Sequence, residues 1–274
     1  MNHTYFFMGG LSRSGSTLLS AILNQNPDIY VSENSPICDL TYKLNLLFDH
    51  NPQYNAVPNE ERRVNVLRSL IDNYYYDIER PIIIDKFRSW GTPYNVSMIQ
   101  SLYTKNVKII CPVRNVLEIL SSFITLLENN KGNISFVDRI IKNEGLYNHK
   151  KNLNDIRCDV LMNMNGGIEH QLYAIRESLL SDNKKFFHLV EYNDLVSNTK
   201  NEIEKIYNFL GIEPFEHSYD CIHYTSSSRD TEYFGVPNLH TVRKKISKTS
   251  KDFRKVLSKN VIKKYSNKEF WRLS

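Results

Sequence analysis

Two stretches of this chain place a fixed positive charge and small or hydroxyl side chains where an apolar run gives way to a helical pattern. The first reads Gly9-Gly10-Leu11-Ser12-Arg13-Ser14-Gly15-Ser16-Thr17 and follows the run Thr4–Met8. Small residues let successive backbone N–H groups turn inward, and a helix N-terminus adds the positive end of its dipole, so that together they cradle a phosphate or sulfate. Arg13 adds mobile charge, and Ser16 and Thr17 add hydroxyl donors. The second stretch follows Val107–Val113, where Arg114 is trailed eight residues later by Ser122. An arginine at a strand end and a hydroxyl further along the next helix can pinch one phosphate between them.

The first stretch is not a Walker A loop. Gly10 and Gly15 have its spacing, but Ser16 stands where that loop's phosphate-binding lysine belongs. Asp85 is the lone contender for a strand-end magnesium ligand. A P-loop-type small-molecule kinase is therefore disfavoured, and stays as an alternative beside a non-catalytic polyanion-binding protein.

A set of ordered elements must position these residues. Thr4–Met8, Ile82–Ile84, Val107–Val113 and Phe186–Val190 suit strands buried on both faces, with Ile29–Val31 a fifth candidate. Helical patterns fall between them over Thr17–Asn24, Glu60–Tyr75, Val116–Glu128, Ile168–Leu180 and Lys200–Leu210, the last stopped by Gly211 and Pro214. The alternation predicts an α/β fold: one P-loop-like domain over residues 1–274, with a central, mainly parallel sheet flanked by helices. Residues 34–80 and 129–180 interrupt it as helical or loop insertions, the usual home of specificity. The stripe Phe253, Val256, Leu257 and Val261 predicts an amphipathic helix over residues 250–265.

Arg13 to Leu18 resembles the 5′-phosphosulfate loop of the sulfotransferase superfamily, R-S-G-[ST]-T-L after a first strand. Arg114 and Ser122 match the first and last positions of its 3′-phosphate signature, R-[ND]-P-x-D-x-x-x-S, with Val116 and Glu118 replacing the proline and aspartate. Glu191-Tyr192-Asn193-Asp194-Leu195-Val196 and Phe209-Leu210-Gly211 resemble the superfamily's Y-E-D-L-V and F-L-G segments. The likeness covers residues 4–34, 82–124, 185–214 and part of 224–245.

This resemblance implies an enzyme that moves a sulfuryl group from 3′-phosphoadenylyl sulfate, in line, to an acceptor hydroxyl or amine, without a metal. It implies that Arg13, Ser14, Gly15, Ser16 and Thr17 hold the phosphosulfate and that Arg114 and Ser122 hold the 3′-phosphate. Tyr192 either reaches the nucleotide or is a buried tyrosine at a strand–helix joint. A late loop closes over the donor, with Arg243, Lys244 and a serine of 226–228 as its candidates. Lys86 stands where the family's catalytic lysine does, and with Arg13 it would offset charge on the bridging oxygen.

Hormone-type members carry a histidine base two residues after that lysine. Here the position is Arg88, which cannot accept a proton. Members with a carboxylate base, the tyrosylprotein kind among them, carry a glutamate near Glu33, which becomes the expected base. Its alternative is an ion pair with Arg13 or Lys86. His170 is a minor alternative base. The acceptor is a small molecule, sugar or peptide, and tyrosines in the two insertions hint at a ring or sugar face.

Composition excludes other classes. The 274 residues are 41% hydrophobic and 24% charged, with 10 glycines, which fits neither a disordered nor a collagen-like chain. No apolar run approaches the ~18 residues of a membrane span, and Met1–Gly10 lacks a basic leader, so neither membrane nor export is expected. Cys38, Cys111, Cys158 and Cys221 are scattered, which points to reduced thiols in a cytoplasm. His217-x3-Cys221-x-His223 lacks a fourth ligand, so no metal is expected there. The net charge is +5, yet residues 241–274 carry twelve Lys/Arg against two Asp/Glu. Arg243 and Lys244 are expected at the site and the tail from Lys248 on a solvated helix face, with no nucleic-acid partner.

Overall fold

Continuous apolar strands need cover on both faces, and the computed structural model, which describes residues 3–130, 132–165, 167–224, 229–248 and 252–272, supplies it. The strands are β1 (Thr4–Met8), β2 (Ile29–Val31), β3 (Ile82–Lys86), β4 (Ile109–Val113) and β5 (Phe187–Glu191). They form one sheet in the order β2-β3-β1-β4-β5, with every neighbouring pair parallel. The chain builds to one side of β1 and then to the other. The order therefore reverses beside β1, where parallel sheets bind ligands outside their C-terminal strand ends.

Side chains alternate across this sheet. Phe6 and Met8 of β1, with Ile84, Ile110 and Val190, pack under the helices Ser16–Leu23 and Thr199–Leu210. Tyr5 and Phe7, with Ile83 and Ile109, face the opposite layer, where Leu67 and Ile71 of the helix Glu60–Tyr74 meet Trp90. The helix Val116–Glu128 buries Ile119, Leu120 and Ile124 against Cys111 and Val113. The same alternation sends the neighbours Asp85 and Lys86 to opposite faces. Asp85 is fully buried, and its carboxylate accepts from the Tyr75 hydroxyl at 2.6 Å and from Trp90 Nε1 at 2.6 Å. Both oxygens hold the helical layer.

Register brings the chemistry to one edge. Met8 pairs with Lys86, and Val113 pairs with Glu191. The chain following each strand (Gly9, Phe87, Arg114, Tyr192) thus leaves the sheet at a common rim.

The structure departs from the sequence expectations in several places, among them β5, which runs one residue later than expected, and β3, which extends to Lys86. β4 begins at Ile109, leaving Val107 and Lys108 ahead of it. The terminal segment is a short turn of helix at Phe253–Lys255 followed by a separate helix, Lys259–Tyr265. Ser258 causes the break, because its hydroxyl accepts from Val261 N at 3.2 Å as a new N-cap and donates to Asp155 at 3.0 Å. The basic tail is also more than a solvated face. Lys264, Lys268 and Arg272 pair with Asp159, Glu169 and Glu191 at 2.8, 3.1 and 2.8 Å, and Glu269 accepts from Val116 N at 2.8 Å. The tail docks on the body and caps the helix that follows Arg114.

Candidate active site

The loop between β1 and the helix Ser16–Leu23 takes its shape from backbone that most residues avoid. Gly10 has φ 95°, and a Cβ there would lie 2.4 Å from the Pro112 carbonyl oxygen. Gly15 has φ 90° and is the N-cap, so the first N–H groups of the helix receive no side-chain cap. Uncapped N–H groups at a helix start are donors looking for an anion. Arg13, not a glycine, is held at φ 56°, the strained conformation that recurs at functional loops. The Ser14 hydroxyl donates to the Leu11 carbonyl at 2.6 Å, which tightens the loop and turns that side chain inward.

Three arginines converge on this loop. Arg13 donates through Nε to Ser122 Oγ at 3.2 Å and through Nη1 to the Leu239 carbonyl, tying the loop to two other elements. Arg114 is 3% exposed. It donates to the Arg13 carbonyl at 2.9 Å and to Glu118 at 3.1 Å, and its guanidinium lies 4.0 Å from the Tyr192 ring centroid. Its Nη2 is buried with no hydrogen-bond partner. Burial, reinforced by Arg114, lowers Arg13 to about 10. Burial, reinforced by Arg13, lowers Arg88 to about 10. Both stay charged at neutral pH, so an arriving anion would ease their mutual repulsion.

These groups open onto a cavity of about 750 Å³. Arg13, Gly15, Ser16, Thr17, Arg114, Tyr192 and Arg243 all line it. Ser122 sits behind Arg13 as its hydrogen-bond acceptor. Lys244 is not in the lining; its carbonyl accepts from Ile222 N at 2.7 Å, and Lys245 faces the cavity instead. Serines 226–228 fall outside the described residues. Lys86 lies just beneath the lining, buried, with Nζ donating to Ser20 Oγ at 3.4 Å on the helix that follows the loop. Burial, reinforced by Arg88 and opposed by Glu33, lowers Lys86 to about 7. Glu33 is half-buried and its charge is felt by Lys86, while its neighbour Asn34, not Glu33 itself, reaches the lining.

Three polar lining residues, Arg88, Gln171 and His240, are not among the site groups expected from sequence. Arg88 was noted only as a missing base, yet it contributes a third arginine to the cavity. Gln171 stands beside the proposed His170, which does not line the cavity; its Oε1 accepts from Ser12 N at 2.7 Å and from Ser12 Oγ at 3.1 Å. His240 is held by Asp230. No local pattern links residues so far apart. Elsewhere, His217 bonds Tyr207 at 3.0 Å and Cys221 meets His223 at 3.4 Å. Among the described residues no three His, Cys, Asp or Glu side chains group as metal ligands, and no helix is long and apolar enough to cross a membrane.

The sulfotransferase family profile matches residues 6–217, the span that contains the loop, Lys86, Arg114 and Tyr192. The chain belongs to the sulfotransferase family. Among solved structures this sulfotransferase is similar to the sulfotransferase domain of the Synechococcus olefin synthase, with TM-score 0.55 and 19% identity over 94% of this chain and 90% of that one. It is similar to a mouse sulfotransferase complexed with PAP, with TM-score 0.53 and 12% identity over 99% of this chain and 84% of that one. A sulfotransferase domain from the curacin biosynthetic pathway aligns with TM-score 0.50 and 17% identity over 79% of this chain and 76% of that one. At these identities the likeness is one of fold. No curated protein matches the chain. The sulfotransferase thus carries an α/β fold with a parallel sheet, and its chemistry is sulfuryl transfer.

Proposed function

We propose that the donor is 3′-phosphoadenylyl sulfate and that its 3′-phosphate sits against Arg114. The observation that carries this is the buried, unpartnered Arg114 Nη2. A buried guanidinium N–H without an acceptor is costly, and a phosphate oxygen satisfies it with a charge-assisted bond. The mouse structural neighbour is complexed with PAP, adenosine 3′,5′-bisphosphate, which supports the same donor here. The donor supplies the sulfuryl group and a phosphate leaving group when bound.

The chain's own residues bind and polarise. Gly15, Ser16 and Thr17 present backbone N–H groups and hydroxyls to the phosphosulfate, and Ser14 keeps their loop closed. Arg114 holds the 3′-phosphate, and Ser122 acts through Arg13 by fixing its guanidinium. Tyr192 supports Arg114 from behind with its ring face. Arg243 and Lys245 neutralise the outer side of the cavity, and Lys244 adds charge to the same lid segment. Lys86 and Arg13 offset the charge that builds on the bridging oxygen. Positioning and fixed positive charge of this kind need no metal. Residues 1–274 act as one catalytic unit in this reading, with an acceptor entering beside the two insertions. Four free cysteines suit a reducing compartment such as a cytoplasm.

Calorimetric titration separates this donor from the kinase alternative. PAP is expected to bind with a dissociation constant in the micromolar range or tighter, near ~−8 kcal/mol, and ATP with magnesium to bind far more weakly. A preference for ATP with magnesium would overturn the assignment.

A further inference from the structure

We propose that His240, oriented by Asp230, is the group that takes the acceptor's proton, and that the acceptor is an alcohol carrying an apolar, ring-sized body. This rests on the sulfotransferase reading above and adds to it a base and a substrate class. At the cavity, Arg13, Arg88 and Arg114 are proton-saturated, and Glu33 stands outside the lining. His240 lines the cavity. Its Nδ1 is 2.6 Å from Asp230 Oδ1, and its backbone N donates to Asp230 Oδ2 at 2.9 Å, so one buried carboxylate fixes both ring and backbone. With Nδ1–H donated to Asp230, the accepting lone pair belongs to Nε2.

The pair is also anchored at the transfer site. Arg13 Nη1 donates to the carbonyl of Leu239, the residue before His240, so the phosphosulfate loop and the histidine are joined by one hydrogen bond. Among the described residues, the charged groups that act on the ring are Asp230 on its own segment, Arg88 from the turn after β3 and Lys86 from β3. Burial lowers the histidine, Asp230 opposes that, and Arg88 and Lys86 add to it, which keeps the imidazole neutral and able to accept at neutral pH.

An aromatic wall leads to the same residue. Phe123, Phe136 and Phe234 all line the cavity, with centroids 6.5 Å apart from Phe123 to Phe136 and 6.1 Å from Phe136 to Phe234. Phe234 then lies 6.2 Å from the His240 ring. A ring or branched apolar body resting on this wall brings its hydroxyl to Nε2. In the step, the acceptor O–H bond breaks and its proton passes to Nε2. The acceptor oxygen forms a new bond to sulfur as the bond from sulfur to the bridging oxygen breaks, and that electron pair leaves on the 5′-phosphate of PAP. The imidazolium later releases its proton to solvent, so atoms and charge balance.

The test uses the full chain, radiolabelled donor and two acceptors. With 2-phenylethanol, H240Q is expected to lose at least ~100-fold in kcat, the scale of a general base, with PAP affinity held within about twofold. With 4-nitrophenol, which ionises unaided at pH 8, the loss should shrink to less than ~10-fold. Asp230 is a positioning residue, and D230N should move the acid limb of kcat/KM to lower pH, since the carboxylate raises the histidine. In free wild-type protein, NMR of isotope-labelled histidine should show the His240 imidazole neutral at pH 7, a readout that needs no turnover. A protonated His240 at that pH overturns the proposal even if H240Q does not fold. An equal loss for both acceptors, or full turnover in H240Q with loss in E33Q, also overturns it. If the wild type binds PAP but sulfates neither alcohol nor phenol, the acceptor class is wrong; if it does not bind PAP, the underlying donor assignment fails instead.

Discussion

Replacing Arg114 with alanine is expected to weaken PAP binding by at least ~100-fold, because two or more charge-assisted hydrogen bonds of about 1.5–3 kcal/mol each are removed. The side chain is not a simple phosphate contact. It bonds the Arg13 carbonyl at 2.9 Å, pairs with Glu118 at 3.1 Å and stacks on Tyr192 at 4.0 Å. Its loss therefore loosens the phosphosulfate loop and leaves Glu118 without its partner. R114K tests the geometry separately. A lysine keeps the charge but has no planar fork, so it should recover little of the affinity. Calorimetry with PAP, set beside a thermal melt, checks both variants. Wild-type affinity in R114A would show that the orphaned Nη2 is not a ligand group.

Lys86→Met is expected to cost about 100- to 1,000-fold in kcat, the scale of losing one preorganised charge at the reacting centre. The same change should raise thermal stability, and the two effects together are the signature of a functional buried charge. The native Lys86 sits at about 7 against an ordinary value of 10.5. Below pH 7 both the folded and unfolded chains hold the proton, and the fold bears the full cost of burying it. Between those values the unfolded chain holds a proton that the native state lacks, so stability rises with pH. Above the upper value the cost is gone. The stabilising effect of K86M is thus largest below about pH 7 and fades as pH rises toward 10.5. Melts at pH 6 and pH 10 read this directly. In the wild type, kcat/KM should fall as pH rises past about 7, since the protonated lysine is the active form.

The parts of this molecule that could be read from sequence are those with local causes. A strand buried on both faces appears as an unbroken apolar run, so Thr4–Met8 and Ile29–Val31 match their strands residue for residue. An anion loop has its glycines, hydroxyls and arginine in one stretch, because the backbone must do the binding there. Contacts between distant segments leave no such trace. Asp230 and His240 meet in a late segment without a regular period, where Arg13 bonds the neighbouring Leu239 carbonyl. Gln171 reaches Ser12 from a helix whose spacing reads as ordinary core. In the late loop, sequence pointed to Arg243 and Lys244, and the cavity is lined by Arg243 and Lys245. One residue decides which basic side chain faces in when no regular element sets the period. The basic tail looked solvated because its acidic partners, Asp159, Glu169 and Glu191, lie far back in the chain.

The claim on which the account rests is that Arg114 reads a 3′-phosphate on the donor nucleotide. Titration of the wild-type protein with PAP and, in parallel, with adenosine 5′-phosphate isolates that single group. PAP is predicted to bind at least ~100-fold more tightly, the equivalent of about 2.7 kcal/mol, with the difference collapsing in R114A. Equal affinity for the two nucleotides in the wild type would contradict it.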